Sequence, residues 1–290
     1  MVPNNNLSVL PFYTSIEQQN ARKWWIFGKV YPLFTPAGFL LPFQLIRPHR
    51  DNELSVFRTY TKDGQLVGDY SGQISELGFS IKPFTNDGYD VIVYAGQLPA
   101  FTQMENGQYY VELGDGVQTW YSEVFTVVND ISGYLKLEWW DIEDFRMDAG
   151  TIVYEQPAFK NVLYLCSDIA KPEYEFSEEI IERDGYTFPV KQVSEKRYRF
   201  SFLASEYLLD VLRFVRMADY ARITKNGQTW FNLDTFLISP EWEDNGDVAV
   251  VDAEFTTATV AKKIGRGYVQ PTGVGDFNND FNNDFNNQNS

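Results

Sequence analysis

The feature that most constrains the fold is a series of short segments in which apolar and polar residues alternate, separated by Asp-Gly and Asn-Gly turns. Alternation at every second residue puts apolar side chains on one face of an extended strand, and Asp-Gly or Asn-Gly favours a tight hairpin turn. The clearest case is residues 54–60, which run into Asp63-Gly64. Similar segments cover residues 38–46, 90–94, 108–113, 119–127 and 134–140. Aromatic residues suit half-buried pleated surfaces and make up 17% of the chain, so composition also favours a mainly β protein.

The 290-residue length favours two domains with terminal extensions. Short strands with regularly spaced turns are typical of an immunoglobulin-like β-sandwich, which we predict for residues 28–155. A second β-sandwich-like domain is predicted for residues 156–268. Residues 1–27 are predicted to form an N-terminal arm, and residues 269–290 a low-complexity tail.

One α-helix is predicted to flank the second sandwich, at about residues 205–219. Ser205 is a suitable N-cap residue, and apolar residues then recur at helical spacing. These apolar residues are Leu208, Leu209, Leu212 and Val215. Strands are predicted around the helix at residues 197–202, 221–224, 229–233, 235–239 and 247–256, with a turn at Asn226-Gly227.

Both extensions carry aromatic residues that are candidate assembly contacts. The arm holds Trp24 and Trp25, and it would lie either on its own domain or on a neighbouring subunit. In the tail, Asp-Phe-Asn-Asn occurs three times and supplies Phe277, Phe281 and Phe285. Asn-rich low-complexity sequence is usually disordered. The tail is therefore either a flexible extension or a peptide whose phenylalanines dock on a partner.

The charge of the chain argues against several kinds of partner. A net charge of −16 repels phosphate backbones, so we expect no specific binding of nucleic acid. No window approaches 18 consecutive apolar residues, which argues against a transmembrane helix. The first residues lack the basic start and apolar run of a signal peptide. We therefore expect a protein that is made and kept in a cytoplasm.

Few residues of the chain are suited to catalysis or to binding a cofactor. With one histidine, His49, and one cysteine, Cys166, the usual zinc ligand sets are not available. The sequence also has no Gly-x-Ser-x-Gly nucleophile motif and no glycine-rich phosphate loop. We predict a solvated loop position for His49 and a buried thiol for Cys166. No catalytic residue, metal site or cofactor is predicted, and the protein is not expected to be an enzyme.

Acidic residues next to tryptophans, at 138–144 and 241–244, suggest an alternative role in sugar binding. Glycosidases place two carboxylates on either side of a sugar, but a chain with 40 acidic residues contains such clusters by chance. Non-catalytic binding on an exposed aromatic platform is the stronger alternative. Its candidate residues are Trp139, Trp140 and Trp242.

Residues 121–127 and 134–141, together with residues 246–257, carry a resemblance to known proteins. In these segments the chain resembles uncharacterised virion structural proteins, of the tail or of the head-tail connector, from phages and prophages of Bacteroidetes bacteria. Tail-tube and tail-hub proteins are commonly β-sandwiches with one flanking helix. The resemblance carries no catalytic residues and is a likeness of fold, from which function does not follow directly.

What the resemblance implies is a subunit of the virion, made in the cytoplasm of the host bacterium. Such a subunit would form a ring with copies of itself and contact other virion proteins, because heterologous contacts between identical subunits close into rings. The negative charge would suit a surface that lines a DNA passage without binding the DNA. The alternative remains a carbohydrate-binding β-sandwich used in host attachment.

Overall fold

The predicted mainly β fold class is confirmed. The computed structural model describes residues 8–21, 33–84, 88–96, 104–142, 145–146, 152–153, 159–183, 185–231, 233–242, 248–257 and 261–264. Strands account for 58% of the structure and helical residues for 11%, so the strand content is more than twice that of an average globular protein, which is about 20–25%. Several sheets with little helix give a sandwich-like arrangement.

The elements follow one another along the chain in this order. The strands of the first half are β1 (Phe12–Tyr13), β2 (Phe34–Pro36), β3 (Phe43–Pro48), β4 (Val56–Thr61), β5 (Leu66–Asp69), β6 (Phe79–Phe84), β7 (Tyr89–Tyr94), β8 (Gly107–Gly114), β9 (Thr119–Ser122), β10 (Phe125–Val128) and β11 (Leu135–Trp140). Those of the second half are β12 (Phe145–Arg146), β13 (Ile152–Val153), β14 (Asn161–Leu165), β15 (Glu173–Arg183), β16 (Tyr186–Ser205), β17 (Tyr220–Lys225), β18 (Gln228–Phe231), β19 (Leu233–Trp242), β20 (Val248–Thr257) and β21 (Ala261–Ile264). The helices are α1 (Ile16–Ala21) and α2 (Glu206–Leu212), and 3₁₀ turns cover Ser71–Glu76 and Arg213–Arg216.

The chain forms two compact units whose boundaries differ from the predicted ones. The first unit comprises residues 1–173 and 196–258, and the second comprises residues 174–195 and 259–290. No division falls near residue 155, because β11 pairs with β14 along one edge and with β17 along the other. Strands of both predicted domains thus share one sheet. Alternation shows which face of a strand is apolar, but it does not show which strand lies beside it.

The first unit is built on an 11-stranded sheet, two smaller sets of strands and the short antiparallel pair β12–β13. The large sheet has the order β1-β9-β8-β10-β2-β14-β11-β17-β18, and β4 pairs with both β5 and β8. Its strands pair antiparallel except β2 and β10, which are parallel. A three-stranded antiparallel sheet has the order β3-β7-β6. In the third set, β20 pairs with β19 and with residues 197–205 of β16.

Apolar side chains from the large sheet, the three-stranded sheet and the third set form the main core, and the predicted helix packs on it. The largest fully buried apolar residues include Trp120, Trp139, Tyr94, Phe43 and Phe255. The helix is observed at the predicted place, as α2 followed by a 3₁₀ turn. The predicted apolar stripe of Leu208, Leu209, Leu212 and Val215 is buried. Ser205 has extended backbone angles at the N-cap position, but its hydroxyl makes no capping hydrogen bond.

Two of the predicted hairpin turns are present, and the Asn226-Gly227 turn has the backbone conformation expected of a two-residue hairpin loop. Between β17 and β18, Asn226 and Gly227 have φ values of 50° and 76°, and Lys225 pairs with Gln228 across the turn. Positive φ at both central residues is typical of a type I′ turn. Between β4 and β5, Gly64 has a φ of 88°. The Asn-Gly and Asp-Gly signals therefore located these hairpins correctly.

The strand predicted over residues 119–127 is interrupted in the structure. β9 ends at Ser122 and β10 begins at Phe125. Between them, the buried carboxylate of Glu123 accepts hydrogen bonds from the Tyr13 hydroxyl at 2.9 Å and from the Val124 amide at 2.9 Å. A buried carboxylate needs such donors, and providing them breaks the strand.

The predicted arm is described in part, and that part packs on its own unit. β1 pairs with β9, and Val9, Leu10 and Phe12 are buried in the core. Residues 8–21 therefore belong to the first unit. Trp24 and Trp25 lie outside the described residues.

The prediction of a buried thiol for Cys166 is wrong. Its side chain is exposed, because β14 ends at Leu165 and the chain leaves the sheet there. The apolar run that suggested burial covers the strand and stops one residue before the cysteine.

A buried guanidinium connects the three-stranded sheet to the large sheet. Arg47 of β3 is 1% exposed. It forms ion pairs with Asp90 of β7 at 3.3 Å and with Asp115, between β8 and β9, at 2.8 Å. It also donates to the backbone carbonyls of Arg50 and Asn52, at 3.1 and 2.7 Å. One buried cation is thereby compensated by two buried carboxylates and two carbonyls.

Groups nearer the surface complete this cluster. Asp115 also accepts hydrogen bonds from the amides of Val117 and Gln118, at 3.0 and 2.9 Å. Burial raises the pKa of Asp115. The hydrogen bonds from these amides and from Arg47 together outweigh burial, so the pKa is lowered overall. The exposed ring of His49 contacts Asp90 through Nδ1, at 2.6 Å. The hydrogen bond and the charge of Asp90 raise the pKa of His49 above its usual 6.5.

Replacement of Arg47 by methionine is expected to destabilise the protein by about 3–5 kcal/mol, because it removes the buried cation that both Asp90 and Asp115 contact. Arg58→Met is the matched control. Arg58 pairs with Asp69 at 2.9 Å on the surface, where water replaces a lost partner. Urea unfolding measures both variants. Equal losses from the two substitutions would contradict the role given to Arg47.

The protonated form of His49 is expected to stabilise the fold. A raised folded pKa means that this contribution is complete below pH 6.5 and is lost as the pH rises through the folded pKa of His49. As His49 is the one histidine of the chain, NMR can follow its ring protons without ambiguity. A titration midpoint at or below 6.5 would contradict the contact with Asp90. The difference in unfolding free energy between the wild type and His49→Gln should shrink as the pH rises.

Candidate functional site

The second compact unit is a long hairpin with one additional strand. Residues 174–183 of β15 and 186–195 of β16 are neighbours in a sheet, and Gly185 has a φ of 81° in the connection between them. β21 pairs antiparallel with β16, from Lys191 opposite Ile264 to Ser194 opposite Ala261. With 20 residues, β16 far exceeds the usual strand length of about 5–6 residues.

Large apolar side chains of the hairpin are exposed. Phe176 is 63% exposed, Ile180 57% and Ile181 48%, and Tyr174 is 70% exposed. Among the described side chains of this unit, only Val193 is buried. The described part of the hairpin therefore has almost no apolar core of its own.

The exposed groups have a definite arrangement on β15. Side chains alternate between the two faces of a strand, so Tyr174, Phe176 and Ile180 lie on one face and Ile181 on the other. Glu178 also lies on the first face, where its carboxylate accepts a hydrogen bond of 2.6 Å from the Gln192 amide of β16. The face thus combines apolar side chains with acidic and amide groups. Such a surface can dock on another protein, but the groups named here do not suggest a reaction.

The predicted contacts of the two extensions cannot be compared with the structure. Trp24 and Trp25 of the arm and Phe277, Phe281 and Phe285 of the tail all lie outside the described residues. Their role in assembly remains a prediction from the sequence.

The predicted sugar platform is not formed by its three tryptophans. Trp139 is 2% exposed and belongs to the core, so its ring cannot bind a sugar. Trp140 stacks on Tyr220 with ring centroids 5.5 Å apart. The ammonium of Lys160 lies 4.5 Å from the Trp140 ring centroid. Trp242, at 46% exposed, is the most open of the three.

Two acidic residues beside these tryptophans, Glu138 and Asp141, form contacts within the first unit. Glu138 is buried and pairs with Arg222 and with Lys136, whose ammonium is 2.9 Å away. Burial raises the pKa of Glu138, but the bonds from Arg222 and Lys136 outweigh burial and lower it overall. Asp141 accepts a 3.1 Å bond from the Asp219 amide, and burial raises its pKa. Glu143 and Asp144 lie outside the described residues.

A pocket of about 360 Å³ in the first unit was not predicted from the sequence. Its walls come from the connection between β14 and β15, from the β17–β18 hairpin and from Tyr198 of β16. The lining residues are Asp168, Ile169, Ala170, Pro172, Tyr198, Lys225, Asn226, Gln228 and Trp230. The pocket thus combines two aromatic rings with several polar side chains.

The ammonium of Lys225 fixes one side of this pocket. It is 6% exposed and contacts the carbonyl oxygens of Gly133 and Ser167 and the carboxylate of Asp168, the last at 2.8 Å. These three acceptors match its three N–H donors. Lys225 thereby links the β17–β18 hairpin to Ser167 and Asp168 and fixes this wall of the pocket. In the sequence, residues 226–230 indicated only a hairpin turn and an aromatic strand, and nothing linked them to Asp168 or Tyr198.

No cluster of three or more potential metal ligands occurs among the described residues. Within the same part of the chain, no helix is long and apolar enough to cross a membrane. The chain matches no protein-family model, and comparison with curated proteins finds no similar sequence.

Proposed function

We propose that the protein is a non-catalytic structural subunit of a phage virion, which assembles into a ring of the tail or of the head-tail connector. The observation that carries the proposal of assembly is the exposed apolar face of the β15–β16 hairpin. The virion is proposed from the resemblance carried by residues 121–127, 134–141 and 246–257.

The hairpin favours a protein partner on energetic grounds. A two-stranded hairpin with little core is marginally stable in water by itself, and exposed apolar patches usually mark an interaction surface. Burial of Phe176 or Ile180 against a neighbour would contribute about 1.5–3 kcal/mol for each side chain. The partner surface would also have to accommodate glutamates such as Glu178 and Glu182, so it would carry polar or basic groups.

Ring formation follows if the hairpin of one copy docks on a different surface of the next copy. Such a contact is heterologous, and it closes into a ring when the rotation between copies allows. Other virion proteins would then bind the completed ring. The aromatic residues of the arm and of the tail are additional proposed contacts. The net charge of −16 would keep a lumen wall from binding DNA.

Removal of apolar side chains from the hairpin is expected to abolish self-assembly. The test variant is Phe176→Ser with Ile180→Ser, and the matched control is Leu66→Ser with Val67→Ser. The control residues are similarly exposed, at 51% and 46%, but lie on β5 of the first unit. Size-exclusion chromatography with light scattering over a range of concentrations measures the mass of each protein.

We expect an oligomer of defined size for the wild type and for the β5 control, and a folded monomer for the hairpin variant. Circular dichroism checks that all three proteins keep their strand content. A wild type that stays monomeric at every concentration would contradict the proposal. So would a hairpin variant that assembles as the wild type does.

A further inference from the structure

The aromatic wall of the pocket is held rigidly by the core. Tyr198 stacks on the buried ring of Phe255, with centroids 5.1 Å apart and an interplanar angle of 14°. Trp230 meets Tyr198 edge-on at 5.5 Å and Phe255 at 6.2 Å. Both Tyr198 and Trp230 are partly exposed where they line the pocket. Because neither ring has to be ordered when a ligand arrives, the entropic cost of binding is reduced.

Polar side chains stand around this wall. Asp168 is 92% exposed at its side chain, and one of its oxygens is held by Lys225. Asn226 and Gln228 are exposed on the β17–β18 hairpin, and the positive φ angles of Asn226 and Gly227 fix the turn that presents them. Each amide group offers two donors and one acceptor. The pocket can therefore form hydrogen bonds in both directions with groups such as hydroxyls.

The charge of the pocket favours a neutral ligand. Among the described residues that line the pocket, the one cation is Lys225. It already contacts three acceptors, so it has no donor left for a phosphate or a carboxylate. Its carboxylate, Asp168, lies 2.8 Å from that cation, and its attraction for a second cation is correspondingly reduced. An anionic or a strongly cationic ligand would gain little here.

We propose that this pocket binds a neutral saccharide. The C–H face of one sugar ring packs against Trp230, and the ring hydroxyls form hydrogen bonds with Asp168, Asn226 and Gln228. An apolar face with a rim of hydroxyls matches an aromatic wall with a polar rim, and the volume of about 360 Å³ is within the range of small-molecule sites. The site goes beyond the proposed role in assembly and uses none of the residues 174–195 that form the β15–β16 hairpin.

Saturation-transfer NMR on the full chain tests the proposal, with cellobiose, maltose, lactose and N,N′-diacetylchitobiose as probes and glucuronic acid as an anionic comparison. We expect transfer to at least one of these disaccharides and none to glucuronic acid.

Gln228→Ala changes an exposed side chain. It should weaken binding about fivefold, because it removes one hydrogen bond to the sugar. Trp230→Ala should abolish binding. The matched control Trp242→Ala removes an exposed tryptophan that does not line the pocket, and it should bind as the wild type does.

Two results would overturn the saccharide site. One is the absence of transfer to every disaccharide at millimolar concentration. The other is binding that persists unchanged in Gln228→Ala, which decides the matter even if Trp230→Ala fails to fold. The oligomeric mass of Gln228→Ala should equal that of the wild type, so failure of this proposal is distinguishable from failure of the proposed assembly.

Discussion

The architecture of the first unit depends on the ion cluster around Arg47. A buried guanidinium is unfavourable unless all of its surroundings compensate it, and the compensating groups come from separate parts of the chain. Asp90 lies in the same small sheet as Arg47, whereas Asp115 lies between two strands of the large sheet. Both sheets must therefore be in place before the charge is satisfied. This requirement specifies how the two sheets pack against each other. Apolar contacts alone would specify that packing only weakly.

The two units satisfy different physical demands. The first encloses a continuous core with rigid aromatic contacts, such as that between Tyr198 and Phe255. The second places apolar side chains on the surface, with Val193 as its one buried side chain among those described. Most of the apolar burial therefore lies in one unit, and the exposed apolar side chains of β15 lie in the other.

Local features of the fold were predictable, and long-range pairings were not. The Asn226-Gly227 turn and the apolar stripe of α2 follow from residues a few positions apart, so the sequence was enough to locate them. The pairing of β11 with β14 and β17 depends on free strand edges, which leave no periodic pattern. The β15 strand was not predicted, although Glu173-Tyr174-Glu175-Phe176 alternates as a strand does. The pocket was missed because Asp168, Tyr198 and Trp230 are brought together only by tertiary packing.

The length of β16 has a mechanical consequence. Its residues 186–195 belong to the hairpin unit and residues 196–205 to the first unit. Residues 197–205 pair with β20 in an unbroken antiparallel register, from Arg197 opposite Thr256 to Ser205 opposite Val248. A pull along the axis of β16 therefore acts in shear on the whole ladder of hydrogen bonds at once. Tension on residues 197–205 is resisted by all of these bonds together, rather than by the bonds breaking one after another from an end.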